Sequence, residues 1–155
     1  MGVKMTPSAR EIRAEIEREY KRFLQRLVAS LQYCGEEIIN SIRNGELSNW
    51  SDRSGNLRSS IGYIVTIDGQ IAFESDFQLV LGAQEGSETG RAYARALASL
   101  HPSGIALIVV AGMNYASYVE AMETKQVLAG AEVQGRAIVE KMLAELNQRY
   151  ANDTN

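Results

Sequence analysis

One long apolar stripe near the start of the chain limits what this sequence can fold into. Its members recur at steps of three and four residues, the spacing of one face of an α-helix. The stripe consists of Ile12, Ile16, Tyr20, Phe23, Leu24, Leu27, Val28, Leu31, Ile38, Ile39 and Ile42. Ser8 and Glu11 form a capping-box pattern in front of it, so we predict a helix over about residues 8–43. Gly35 is the natural place for a bend in this helix.

The stripe is longer than one small sheet can cover, and part of it is therefore expected to pack on a neighbouring subunit. The opposite face of the predicted helix carries charges of both signs. They are Arg10, Arg13, Glu17, Arg18, Lys21, Arg22 and Arg26, interleaved with Glu11, Glu15 and Glu19. This mixture favours a solvated face with spaced ion pairs, and a DNA-contacting surface is the alternative.

The middle of the chain has the pattern of a small antiparallel sheet. Ile61, Tyr63, Val65 and Ile67 alternate with smaller or more polar residues, which is typical of a half-buried strand. Asp68-Gly69 predicts a tight hairpin turn, and the returning strand runs from Gln70 to about Ser75. The same alternation continues through Phe77, Leu79 and Leu81, which predicts a third strand or a bent continuation of the second.

Further along, a break over 82–86 precedes a short helix from about Glu88 to Leu100, with Ser87 as its cap. The run Ile105–Ala111 is apolar on both faces, and we predict that it is the central strand of the sheet. A second apolar stripe predicts a C-terminal helix over about residues 130–150. The expected fold class is α+β. A small, mostly antiparallel sheet is packed by the long N-terminal and the C-terminal helix, with one inserted short helix.

Length and composition favour a single domain over residues 1–155, with the sheet and the inserted helix within about 57–112. The net charge of -3 argues against a protein whose main work is to grip phosphates. Cys34 is the only cysteine, which rules out an internal disulfide and suits a reducing cytoplasm. The apolar run from Ile105 to Met113 is about half the ~20 residues that a membrane-spanning helix needs.

Few residues offer chemistry. His101 is the only histidine, so a site with two histidine ligands is excluded, and Cys34 has no basic neighbour in sequence that would favour a thiolate. No nucleophile elbow or phosphate loop is present. We therefore predict no enzyme, no catalytic or metal-ligating residue and no cofactor. Two alternatives remain: a small hydrolase that uses carboxylates near Asp52 and Glu120, and a nucleic-acid-binding accessory protein that uses the arginines of the first helix.

Two short segments are more informative than any candidate for chemistry. The first, Gly55-Asn56-Leu57-Arg58-Ser59-Ser60-Ile61, follows a polar loop over 44–56 and is expected to turn into the first strand. The second, Asn114-Tyr115-Ala116-Ser117-Tyr118-Val119-Glu120, follows the most apolar strand. In this order, with a helix before and a helix after, they resemble the neck and tail-completion proteins of tailed bacteriophages and prophages. Gly55, Leu57, Arg58, Ser60 and Ile61 match the family's first motif. Tyr115, Ala116, Tyr118, Val119 and Glu120 match the second.

The resemblance implies a virion structural protein, a head-tail connector or tail-completion component that forms a ring with copies of itself and binds other head and tail proteins. It implies a location in the host cytoplasm during assembly and then in the neck or tail of the virion, with no small-molecule substrate and no membrane. The positions that it assigns to interactions are Gly55, Leu57, Arg58, Ser60, Trp50, Tyr115, Tyr118 and Glu120. DNA contact is possible in such a protein, although the net charge does not indicate it.

The tyrosine segment has two interpretations. Tyr115 and Val119 lie four residues apart and can cap the core as one helical turn. Alternatively, Tyr118, Glu120 and the loop that holds Trp50 make subunit contacts, because Tyr and Trp are favoured at interface centres. The chain departs from the family pattern at 121–128, where a glycine and an aromatic-proline anchor are expected. It also departs at 82–104, where a helix is added.

Overall fold

The computed structural model describes residues 6–44, 52–113 and 129–153. Its first helix, α1, spans Ala9–Arg43 and begins at the predicted capping box. The backbone N–H of Ser8 donates to Glu11 Oε2 at 2.6 Å, and the N–H of Glu11 donates to Ser8 Oγ at 3.3 Å. The bond from the Ser8 backbone lowers the pKa of the Glu11 carboxyl. Helical backbone continues through Gly35, the residue at which the sequence suggested a bend.

Three described strands form an antiparallel sheet: β1 (Ile61–Ile67), β2 (Gln70–Glu74) and β3 (Ile105–Ala111). The predicted hairpin between β1 and β2 is confirmed. Asp68 and Gly69 both adopt positive φ, 48° and 77°, as a two-residue hairpin turn with the twist of the strands requires. Asp68 also ties the turn to the start of β3, because its Oδ1 accepts from the N–H of Gly104 at 2.8 Å.

The order of the described strands is β2-β1-β3, which corrects two predictions. β1 was expected to be half-buried, yet it is the central strand and is buried on both faces along almost its whole length. β3 was expected to be central, yet among the described strands it lies at an edge. Its apolar residues are explained by the layers above and below it, since Ile108 and Val110 pack on one side of the sheet and Leu107 and Val109 on the other.

Residues 75–83 contain no strand, so the predicted continuation over Phe77, Leu79 and Leu81 is wrong. Phe77 is buried, whereas Leu79 and Leu81 are exposed. The alternation resembles that of a strand, but the chain turns away at Leu81, where φ is 54°, and at Gly82. This turn leads directly into the inserted helix.

The other helices within the described residues are α2 (Asn56–Ser59), α3 (Gln84–Ala98) and α4 (Ala129–Asp153). The C-terminal helix is confirmed. The inserted helix begins four residues before the predicted Glu88, and Ser87 is not its cap. The Ser87 hydroxyl is buried and donates to the carbonyl of Phe77 at 2.8 Å, which holds the 75–83 segment against α3.

The fold class is α+β, as predicted. α1 and α4 cover one face of the sheet, where a core cluster forms around Ile39, Leu57 and Tyr63. α3 covers the other face, where Ile64 and Phe77 pack against Ala94 and Ala98. Cys34 is fully buried in α1, and burial raises the pKa of its thiol.

Candidate interaction sites

The first motif segment is built around the carboxylate of Asp52. Its Oδ1 accepts from the N–H of Gly55 at 2.9 Å, and its Oδ2 accepts from the N–H of Arg58 at 2.8 Å. These bonds satisfy backbone donors at the start of α2, which have no partner within the helix. Gly55 has a φ of 78°, and a Cβ there would lie 2.2 Å from the carbonyl oxygen of Val80. Only glycine fits at this position.

The same segment is fastened to the start of α3. The side-chain amide of Asn56 donates to Glu85 Oε2 at 3.3 Å, and its Oδ1 accepts from the N–H of Gly86 at 3.2 Å. A Cβ at Gly86 would lie 2.1 Å from the Asn56 carbonyl oxygen, so the two backbones are in direct contact. Glycine in α3 therefore permits the close packing of α2 against α3.

The end of β3 lies beside this segment as well. The N–H of Gly112 donates to the carbonyl of Ser60 at 3.2 Å. A Cβ at Gly112 would lie 2.4 Å from the Cα of Gly90, and a Cβ at Gly90 would lie 2.3 Å from the Ser60 carbonyl oxygen. The turn, α3 and the end of β3 thus meet at glycine backbones.

These contacts involve four of the residues that the family resemblance assigned to interactions. Gly55, Leu57 and Ser60 are buried within the subunit, and Arg58 is partly buried. The Ser60 hydroxyl donates to the Leu57 carbonyl at 2.7 Å. Within the subunit, these residues pack the turn against α3 and the end of β3. A role in contacts between subunits stays a prediction.

The other four assigned residues, Trp50, Tyr115, Tyr118 and Glu120, lie outside the described residues. The second motif begins at Asn114, directly after the described residues Gly112 and Met113. Since Gly112 bonds to Ser60, the point at which the chain enters the second motif adjoins the first. The described residues therefore establish that Gly112, which leads to the second motif, contacts the first motif.

Asp52 and His101, two of the residues with potential for chemistry, lie at opposite ends of α3. Asp52 belongs to the turn at the start of α3, and the N–H of His101 donates to the Ala98 carbonyl at its end. The length of α3 separates them by about 20 Å. Within the described ranges, no group of three or more His, Cys, Asp or Glu side chains could hold a metal ion.

The beginning of α1 carries a row of exposed apolar side chains. Residues 9–22, the tip of α1, are all exposed. On the tip, Ile12 is 48% exposed, Ile16 64% and Tyr20 57%. They belong to the same stripe that is buried further along at Leu27, Leu31, Ile38 and Ile42. The stripe that builds the core therefore continues beyond it, uncovered by any residue that the structure describes.

α1 and α4 pack antiparallel. A Cβ at Gly135 would lie 2.9 Å from Ile38 Cδ1, and later residues of α4 line a groove together with earlier residues of α1. The groove between α1 and α4 has a volume of about 580 Å³. Its α1 side includes Ala29, Tyr33 and Glu37, and its α4 side includes Lys141, Met142, Glu145 and Arg149. Apolar side chains, among them Met142 and Leu146, line the groove together with charges of both signs.

A second cleft, of about 450 Å³, lies where β3 meets the two helices. Leu107 and Val109 form its sheet side, and Leu31 and Val139 come from the helices. Glu132 and Arg136 stand at this cleft and approach each other to 3.6 Å on α4. An opening on both sides of α4 shows that this helix covers only part of the sheet face.

Sequence reasoning named the long helix as a contact surface but missed the groove. Gly135, a glycine inside the predicted C-terminal helix, was the available signal, because a small residue lets two helices approach closely. No described helix is long and apolar enough to cross a membrane. No family model, curated protein or solved structure matches the chain.

Proposed function

We propose that this protein is a structural component of a tailed-phage or prophage virion, a head-tail connector or tail-completion protein. It works by assembling with copies of itself into a ring and by binding head and tail proteins on either side. It performs no turnover and needs no cofactor. It acts in the host cytoplasm during assembly and then in the neck or tail of the particle.

The observation that carries this proposal is the exposed tip of α1. Three large apolar side chains, Ile12, Ile16 and Tyr20, stand in a row on a helix with no described residue against them. A helix that is apolar along one face is normally stabilised by burying that face. Exposed apolar patches of this kind mark interaction sites, and a ring-forming protein requires them.

The two motif segments support the proposal independently. They carry the resemblance to phage neck proteins, and Gly112, two residues before the second motif, bonds to Ser60 in the first. A rigid turn built on Asp52 and glycine contacts supplies a fixed platform at this point. In a ring, such a platform holds neighbouring contact segments in a constant orientation.

The proposal is tested by imaging the purified protein with negative-stain electron microscopy at rising concentration, alone and co-expressed with the products of the genes that flank its own. We expect closed rings of uniform diameter, and flanking genes that encode portal, capsid or tail-tube proteins. Single particles of one chain at every concentration, together with flanking genes for metabolic enzymes, would overturn it.

A further inference from the structure

We propose that the tip of α1 of one copy docks into the groove between α1 and α4 of a second copy, so that subunits join head to tail. The inference rests on the proposed function and identifies the contact that builds the ring. It assigns one occupant, a second copy of this chain, to two surfaces that no residue described by the structure covers. Those surfaces are the tip, residues 9–22, and the groove.

Pairing of two tips with each other buries too little surface. A stable interface removes roughly 800 Å² from each partner. A buried aromatic residue contributes about 150–250 Å², and the tip offers one tyrosine and two isoleucines. A groove encloses a docked helix on two sides and so buries more of it. Helix-in-groove packing is accordingly favoured over a symmetric pair of tips.

The tip and the groove match in length. Ile12 and Tyr20 are eight residues apart, which is about 12 Å along a helix. Ala29 and Glu37, the ends of the groove on α1, are also eight residues apart and so span the same distance. The anchors at steps of four residues present three side chains to a groove of about 580 Å³. This is the pattern by which an amphipathic helix binds an apolar groove.

Charge does not oppose this contact. The groove rim has two acids, Glu37 and Glu145, and two bases, Lys141 and Arg149. The flanks of the tip also alternate in sign, and Arg18 and Arg22 are paired with Glu15 and Glu19 on their own helix. Because tip and groove are different surfaces, the contact is heterologous and can repeat from subunit to subunit until a ring closes.

Single substitutions test each surface without touching the core. Ile16→Glu places a carboxylate in the tip contact, and Ala29→Glu places one in the groove; Ile16 and Ala29 are both exposed in the subunit, so the fold is retained. We expect each to weaken association at least about tenfold, because an unpaired charge would be buried. The matched control, Ala14→Glu, adds the same charge on the side of α1 opposite Ile16. It should associate like the wild type.

A mixing experiment then separates head-to-tail docking from any symmetric contact. An equimolar mixture of the Ile16→Glu and Ala29→Glu chains contains one intact tip and one intact groove. Sedimentation velocity should show dimers of the two chains that grow no further, although each variant alone remains a single chain. Circular dichroism of each variant checks that the fold is intact.

Three outcomes overturn the docking contact. They are wild-type assembly by either variant, loss of assembly in the control to the same extent, and a mixture that stays as single chains. In each of these cases a wild-type protein that still forms rings leaves the proposed function standing. A wild-type protein that remains a single chain at every concentration overturns the contact and the proposed function together.

Discussion

The aromatic ring of Tyr63 lies directly on the backbone of Gly35. A Cβ at residue 35 would come within 2.6 Å of ring atoms Cδ2 and Cε2. The ring is fully buried, and its hydroxyl proton has two acceptors within hydrogen-bond distance, the Gln32 carbonyl at 3.1 Å and Glu36 Oε1 at 3.0 Å. Glycine in the middle of α1 therefore allows the central strand to approach the helix closely.

Gly35→Ala should lower the free energy of unfolding by about 1–2 kcal/mol. Overpacking against the held ring costs roughly 1–3 kcal/mol, and the gain in helix propensity returns at most about 1 kcal/mol. The change is measured by urea denaturation followed by circular dichroism. Gly135→Ala is the control, since its Cβ would meet only the flexible end of Ile38 and should leave stability nearly unchanged or raised. Equal stability of the wild type and Gly35→Ala would show that the ring is not held in place.

Stability should fall above pH 10 because of Tyr63. Burial, and then the hydrogen bond to Glu36, raise the pKa of its phenol, whereas the phenol in the unfolded chain ionises near pH 10. Above pH 10 the folded state keeps this proton and the unfolded state loses it. The contribution of Tyr63 to the free energy of unfolding is therefore fully present below pH 10 and is lost as the pH rises further. The expected loss is about 1.4 kcal/mol per pH unit.

Tyr63→Phe removes this dependence. Urea denaturation at pH 8 and pH 10.5 should show a smaller fall for Tyr63→Phe than for the wild type, whatever its stability at pH 8. Tyr33→Phe, at an exposed tyrosine, is the control and should keep the wild-type fall. An identical fall in all three proteins would contradict the role of the buried phenol.

Ser75 supplies a hydrogen-bond acceptor that the end of the β1–β2 ladder lacks. Its buried hydroxyl oxygen accepts from the N–H of Tyr63 at 2.8 Å, while its own N–H donates to the Tyr63 carbonyl at 2.9 Å. Ser75→Ala leaves a buried N–H without this partner and should cost about 1–3 kcal/mol of the free energy of unfolding. Ser75→Thr keeps the hydroxyl and should cost less. A Ser75→Ala protein as stable as Ser75→Thr would mean that another group takes over the bond.

Asp52 should stabilise the turn by capping α2. Asp52→Ala removes the acceptor for the N–H groups of Gly55 and Arg58 and is expected to cost about 0.5–2 kcal/mol. Hydrogen exchange of these two amides should become faster, while the amides of β2 stay protected. Unchanged exchange at Gly55 and Arg58 would contradict the capping role.

The parts of the fold with a simple period were predictable. The stripe of α1, the capping box at Ser8 and the Asp68-Gly69 hairpin each follow from local chemistry, and the structure confirms them. The place of β3 was not predictable, because Ile108 and Val110 would be apolar on an edge strand or a central strand alike. Burial of both faces of a strand indicates that other elements pack above and below the sheet. The strand order, in contrast, depends on pairing between distant segments.

The candidate sites were also predictable only in part. The apolar row from Ile12 to Tyr20 was visible in the sequence, and its excess length indicated a contact outside the subunit. The groove was not visible, because it depends on which face of α4 meets α1 and on how much of each helix the other leaves open. The glycine contacts of Gly86, Gly90 and Gly112 are likewise set by three elements that meet only in the folded chain.

The central claim is that this protein acts by associating with its own copies. Multi-angle light scattering of the purified wild-type chain over a concentration series tests it most directly. The expected result is a mass that rises with concentration from one chain to a fixed multiple, and that falls back to one chain in Ile16→Glu. A mass of one chain throughout the series would contradict the claim.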